Sequence, residues 1–426
     1  MHILIQNGHV IDPANNIDST QSIAIANGSI IAVGQIPDSF NPERSIDASG
    51  LIVCPGLIDL RAHLREPGQE HKATIDSETR AAARGGITTL CCPPDTQPVI
   101  DTPAVATLIR DQAHAAGRTR VLPLGALTQG LAGEQLSSMH ALKEAGCIGV
   151  SNAMIPLGNP LILKRAMEYA ATHQLTVFIH AEDASLADNG CVHNGAVATR
   201  LGLPGIPTAA ETVAVATVLA LVEETGARVH FSMLSTARAV RMIARASHDG
   251  LPISADVSAH HLHLTEIDVL DFDSRCHVRP PLRTQRDRDG LREGLRDGTI
   301  TAICSDHQPH EADAKLAPFS ATETGISALE TLLPLALQAA SDSHISRSDV
   351  IASLTRGPAK ILGIDAGTLS VGTSADICIF DPDSYWTLSQ NTMLSRGHNT
   401  PFLDWDLKGQ VRYTLLNGQC VFEEKT

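Results

Sequence analysis

The stretch Leu51-Ile52-Val53-Cys54-Pro55-Gly56-Leu57-Ile58-Asp59-Leu60-Arg61-Ala62-His63-Leu64-Arg65-Glu66-Pro67-Gly68 decides the fold of this chain. Its apolar opening, through Ile58, is too short for a core helix and reads as a buried strand over 52–58. Residues two apart on a strand share a face. Arg61 and His63 are therefore expected to point the same way, into whatever lies at the strand's end.

Working outward, the middle of the chain alternates. Further strands are expected at 87–92, 120–125, 147–151, 175–179, 228–232, 252–257 and 300–304. Helical stretches separate most of them, among them 102–116, 160–173, 208–225 and 236–248. Such alternation is the pattern of an α/β fold, a (β/α)8 TIM barrel, whose chemistry gathers at the C-terminal ends of the strands. The two ends of the chain read differently. Ser22-Ile23-Ala24-Ile25-Ala26 runs into Asn27-Gly28, a hairpin turn signal, and short strands return at Ala375–Asp381 and Val411–Leu416. Residues 1–50 and 364–426 are thus expected to form one small β domain, with the barrel over 51–363. The segment 312–325 holds few bulky apolar residues and reads as a mobile loop over the barrel mouth.

Composition bounds the function. The net charge is −15, which argues against nucleic acid and anionic membranes as partners. No basic-then-apolar leader is read at Met1–Gly8, and no apolar run reaches spanning length. The nine cysteines lack framework or Cys-x-x-Cys spacing. They read as reduced, buried thiols of a cytoplasmic protein.

Pro55-Gly56-Leu57-Ile58-Asp59-Leu60, the spaced pair Arg61/His63 and Leu64-Arg65-Glu66-Pro67-Gly68 together resemble the opening of a dihydroorotase of the amidohydrolase superfamily. His180-Ala181-Glu182-Asp183, Asp306-His307-Gln308-Pro309-His310, Leu203–Pro207 and Asn399–Phe402 carry the resemblance along nearly the whole chain. It implies a barrel of the metallo-dependent hydrolase type beside a β-sandwich built from both termini. It also implies two zinc ions held at strand ends, and here the sequence departs. His63, His180 and Asp306 stand where the family has ligands, and Asp306 would also be the general base. Arg61, Asn152 and Met233 occupy the other ligand positions. A guanidinium has no lone pair to give and stays protonated. A +1 and a +2 charge about 4 Å apart repel by roughly 8 kcal/mol at an effective dielectric of 20. A neutral amide bridges cations poorly, and a thioether is a weak zinc ligand. His230 is expected on the opposite face from Met233 because an odd number of residues separates them. On the substrate side the family's arginine and last histidine persist as Arg65 and His310, while Asp95 replaces an amide.

Two readings lead, beside a third in which the chain is a metal-free binder of an anion at Arg61 and Arg65. In one the chain resembles the inactive dihydroorotase homologues that associate with the catalytic subunit of aspartate transcarbamoylase in an oligomeric assembly, and needs no cofactor. In the other it is a working dihydroorotase, interconverting dihydroorotate and N-carbamoyl-L-aspartate at a reduced site with one weakly held zinc. Residual roles expected of the side chains are an Asp306–Arg61 pair, and pairing of Arg65 and His310 with Glu66 and Glu311.

Overall fold

In the computed structural model, which describes residues 2–424, the middle of the chain forms eight parallel strands in sequential order. They are Leu57–Asp59, Ile87–Cys92, Arg120–Ala126, Gly149–Ser151, Thr176–His180, Val229–Ser232, Ile253–Ser258 and Ala302–Cys304. The seam between the first and last is closed beyond their ends, by a parallel bridge between Ala62 and His307. The His63 amide donates to the His307 carbonyl there at 2.8 Å. Helices follow the strands as the periodicity predicts: Pro103–Ala116, Pro160–Thr172, Thr208–Thr225 and Ala237–His248. The last of these starts where the Thr236 hydroxyl accepts from the Ala239 amide, satisfying a donor the helix itself cannot.

The run 52–58 is not one strand. Ile52–Pro55 belongs to the terminal sheet, pairing with His2–Asp12 and Ile377–Thr387, and only Leu57–Asp59 enters the barrel. The chain changes sheets at Gly56, whose amide donates to the Asp376 carbonyl. A Cβ there would sit 2.2 Å from Thr88 Oγ1, so only glycine fits the crossing. The terminal sheet accordingly reaches past residue 50.

That sheet has eight strands, drawn from both ends of the chain and hydrogen-bonded as one mixed sheet. The Asn27-Gly28 turn joins two of them, with both residues at positive φ (51° and 84°) as a tight hairpin demands. Alternate residues such as Ile3, Ile5, Ile23, Ile25 and Ile377 fill a core of their own. A separate cluster fills the barrel interior, where Ile58, Leu60, Phe178 and Met233 pack on Ala359 and Leu362 of the helix Arg356–Leu362.

The segment 312–325 carries two short turns, Ala312–Lys315 and Phe319–Ala321. Phe319 is buried 4.8 Å from the His277 ring, and Lys315 Nζ donates to the Glu323 carbonyl at 2.6 Å. No helix among the described residues is long and apolar enough to cross a membrane. Eight of the nine cysteines are buried, and all are free thiols.

Candidate functional site

The strand ends bring most of the sequence-identified side chains into one buried polar layer. Arg61 Nε donates to Asp306 Oδ1 at 3.0 Å, with both side chains almost fully buried. Gln308 adds a donor to the same oxygen at 3.1 Å. Burial pushes the Asp306 carboxyl up to about 6, against the pull of Arg61. Arg61 Nη2 and Asp306 Oδ2 remain buried without partners.

His63 faces acceptors on both sides: Asp95 Oδ2 at 3.0 Å and the His307 carbonyl at 3.2 Å. Burial lowers the imidazole to about 4 despite Asp95. Asp95 is half-buried, and His63, Arg61 and Arg65 hold it well below the usual carboxylate range. The aspartate that replaces an amide thus occupies the histidine's outer nitrogen. His180 stands apart, with neither ring nitrogen hydrogen-bonded and Nε2 3.7 Å from Glu182 Oε2.

Asn152 and Met233, where the resemblance implies ligands, have structural roles. Asn152 accepts from the Thr128 hydroxyl at 2.8 Å and donates to the Ile155 carbonyl at 3.0 Å. Met233 packs in the barrel core. Four non-glycine residues after strand ends take left-handed backbone: Arg65 (63°), Ala153 (52°), Met233 (56°) and Asp306 (48°). Each costs about 1 kcal/mol or more and is kept by its surroundings.

That bend at Met233 overturns the expected parity with His230. The chain has left β geometry at Met233, so both residues face the barrel interior. His230 lies 5.1 Å from the Phe178 ring and 2.9 Å from Asp256 Oδ2, deeper than the mouth. Val229 and Phe231 face the helices instead.

Arg65 and His310 do meet, but not through carboxylates. Arg65 Nη2 lies 3.0 Å from His310 Nε2, and Arg65 Nε donates to the Pro309 carbonyl at 3.0 Å. Lys72 Nζ approaches His310 Nδ1 at 3.3 Å. Burial and these two cations push His310 down to about 2, so it is neutral. Glu66 instead accepts from the Ile75 amide at a helix start, and Glu311 Oε2 has no hydrogen-bond partner. Local carboxylates are already committed to backbone or turned away, which is why the expected pairs do not form.

Several contributors were invisible from the sequence. Arg279 Nε donates to both Glu182 oxygens at 3.1 Å, filling the rim beside His180. Asn399 holds the His310 loop, accepting from the His310 amide at 2.8 Å and donating to the Gln308 and Gly325 carbonyls. His307 Nε2 donates to Glu78 Oε2 at 2.8 Å, while Nδ1 accepts from the Ala328 amide. Glu182, His307 and Asn399 lie in motifs quoted above, but their partners lie far away in sequence.

Chemically, this layer can neutralise charge and bind polar groups. It does not fit the two-zinc centre that the resemblance implies. The Arg61 cation sits on Asp306, Asp95 holds His63, and two ligand positions offer an amide and a thioether. Among the described residues no three His, Cys, Asp or Glu side chains group to hold a metal ion.

The whole architecture matches hydantoinases. The L-hydantoinase from Arthrobacter aurescens superposes with a TM-score of 0.88 over 99% of this chain and 96% of its own, at 22% identity. A D-hydantoinase structure gives 0.83 over 100% and 96%, at 23% identity. The fold is therefore that of the amidohydrolases. Within that class, the dihydro-orotase-like family model matches residues 50–239. A dihydroorotase-like protein of Pseudomonas aeruginosa is 48% identical over 99% of this chain and 100% of its own. Another from Pseudomonas putida is 50% identical, over 98% of each chain. A protein named dihydroorotase, from Syntrophotalea carbinolica, is 44% identical over 99% of each chain. The chain belongs to the dihydroorotase-like family.

Proposed function

We propose that this chain is a dihydroorotase homologue that no longer hydrolyses cyclic amides and instead supports the assembly or activity of the aspartate transcarbamoylase catalytic subunit, as an oligomeric complex in pyrimidine biosynthesis. One observation carries the first half: the Arg61 guanidinium lies on the Asp306 carboxylate, the group that would otherwise act as ligand and general base. A carboxylate neutralised by a fixed cation is a poor proton acceptor. A catalytic zinc normally has three protein ligands and an open position, which this donor set does not supply. No cofactor is needed for a scaffold role. The partner half rests on the retained barrel and the family resemblance. It is tested by size-exclusion chromatography of the chain with aspartate transcarbamoylase from the same organism. Separate elution, with no change in transcarbamoylase activity, removes it.

A second reading has its own support. His180 has two free ring nitrogens and Asp306 has a free Oδ2. Together with His63 they are the donors that a single weakly held zinc would use, with Asp306 as base for dihydroorotate ring opening. Zinc-dependent turnover that is lost on Asp306→Ala establishes this reading over the first.

A further inference from the structure

The opposite end of the barrel carries a groove of about 760 Å3 that neither reading uses. It lies at the N-terminal ends of strands five to eight, lined by Thr176, Val229, Ile253 and Thr301. In a (β/α)8 barrel this face ordinarily serves stability. Its size falls in the range of small-molecule sites.

The groove is basic although the chain is acidic. Arg228, Arg296, Arg356 and Lys360 line it, against one carboxylate, Asp349. Asp349 is itself committed to capping a helix, accepting from the Ser346 hydroxyl at 2.6 Å. Arg356 uses Nη1 to hold the Pro13 carbonyl at 2.9 Å, and Arg228 uses Nη2 on the Gln174 carbonyl. Each leaves guanidinium donors over. Arg296 meets exposed Glu293 and Asp297 at 3.4 and 3.2 Å. Lys360 Nζ makes no hydrogen bond or ion pair among the described residues.

Helix C-termini collect at this face, and basic side chains offset their dipoles. That accounts for Arg228 and Arg296, which stand at or beyond helix ends. Arg356, just past the end of the helix Arg347–Leu354, and Lys360, in the last turn of the helix Arg356–Leu362, stand near helix ends too, but both are carried by this one short helix. This helix is fixed in place. Ala359 and Leu362 close the barrel interior, and a Cβ on Gly357 would lie 1.9 Å from the Thr301 carbonyl oxygen. Its two cations are thereby held over an apolar floor that includes Val229, Ile253, Leu295, Ile300 and Ile361.

We propose that this groove binds a phosphorylated small molecule with a flat or apolar body. The phosphoryl group bonds to the Arg356 and Lys360 end, with Arg228 and Arg296 supplying further positive charge, and the body lies on the floor. Converging guanidinium and ammonium donors suit phosphoryl oxygens. The net charge of −15 disfavours long polyanions and anionic membranes. The site is independent of the barrel mouth.

The test is isothermal titration of the full chain with ADP and, separately, inorganic pyrophosphate at low salt. ADP is expected to bind, more tightly than pyrophosphate. Lys360→Glu and Arg296→Glu, both at exposed positions, are each expected to weaken it by about tenfold or more. Arg65→Gln, at the mouth, is expected to leave ADP binding unchanged. Circular dichroism of each variant confirms the fold. Absence of ADP binding at millimolar concentration overturns the proposal, as does binding that survives Lys360→Glu or is lost in Arg65→Gln. Equal affinity for the two probes overturns the role of the floor.

Discussion

Among the described residues, replacing Arg61 by methionine leaves Asp306 in the barrel mouth with only Gln308 as donor, because the Nε contact at 3.0 Å is the one ion pair Asp306 makes. Asp306 is 1% exposed, so water does not replace the lost partner. Removing one member of a buried pair costs about 3–5 kcal/mol. Unfolding entropy of about 2.1 cal/mol/K per residue, over 426 residues, gives about 0.9 kcal/mol/K and hence a Tm lower by about 3–6 °C. Asp306 is already raised to about 6 by burial, and loss of Arg61 raises it further. The deficit is therefore expected to shrink at pH 5, where the carboxyl is protonated in wild type and variant alike. The double variant Arg61→Met/Asp306→Leu removes both charges and is expected to recover most of the loss. Calorimetric unfolding of the three proteins at pH 7.5 and pH 5 measures all of this. An unchanged Tm in Arg61→Met, or a double variant no better than the single, would refute the claim that this pair neutralises the site.

Other outcomes follow from the same structure. Stability is expected to fall as pH drops below about 6.5. His63, His193, His261, His263 and His277 are held neutral to about 4, so the unfolded chain binds more protons between those values. Asp59 and Glu330, raised to about 7, and Asp306 work the other way because their native forms bind the extra protons. The histidines outnumber them, so urea midpoints from pH 5 to 7.5 are expected to rise with pH; a flat or falling series contradicts the burial pattern. Zinc at micromolar concentration is expected to leave the wild-type Tm unmoved, whereas binding at 100 times the dissociation constant would add about 2.7 kcal/mol. Gly357→Ala forces a Cβ to 1.9 Å from the Thr301 carbonyl and is expected to cost about 1–3 kcal/mol, read from denaturant unfolding.

Much of this fold is legible locally. Asn27-Gly28 fixes a hairpin because both residues tolerate positive φ, and the alternating barrel follows from strand-length apolar runs separated by amphipathic helices. Two features escaped because a backbone conformation interrupts a simple period. Gly56 divides an apolar run between two sheets, and the left-handed turn at Met233 breaks the strand's alternation. At the site, the Arg61–Asp306 pair is readable from chemistry alone: a buried cation and a buried carboxylate each need a partner. The Arg279–Glu182 pair is not, since 97 residues separate them and each sits in a motif that gives no sign of the other. The reach of Asn399 to Gln308 and Gly325 is likewise a product of the fold.

The most direct test of the central claim is dihydroorotate turnover by the purified, zinc-loaded chain, beside an intact dihydroorotase as control. The account predicts no turnover above background in either direction of the reaction. Clear zinc-dependent turnover that disappears in Asp306→Ala would contradict it and make the chain an enzyme with an atypical site.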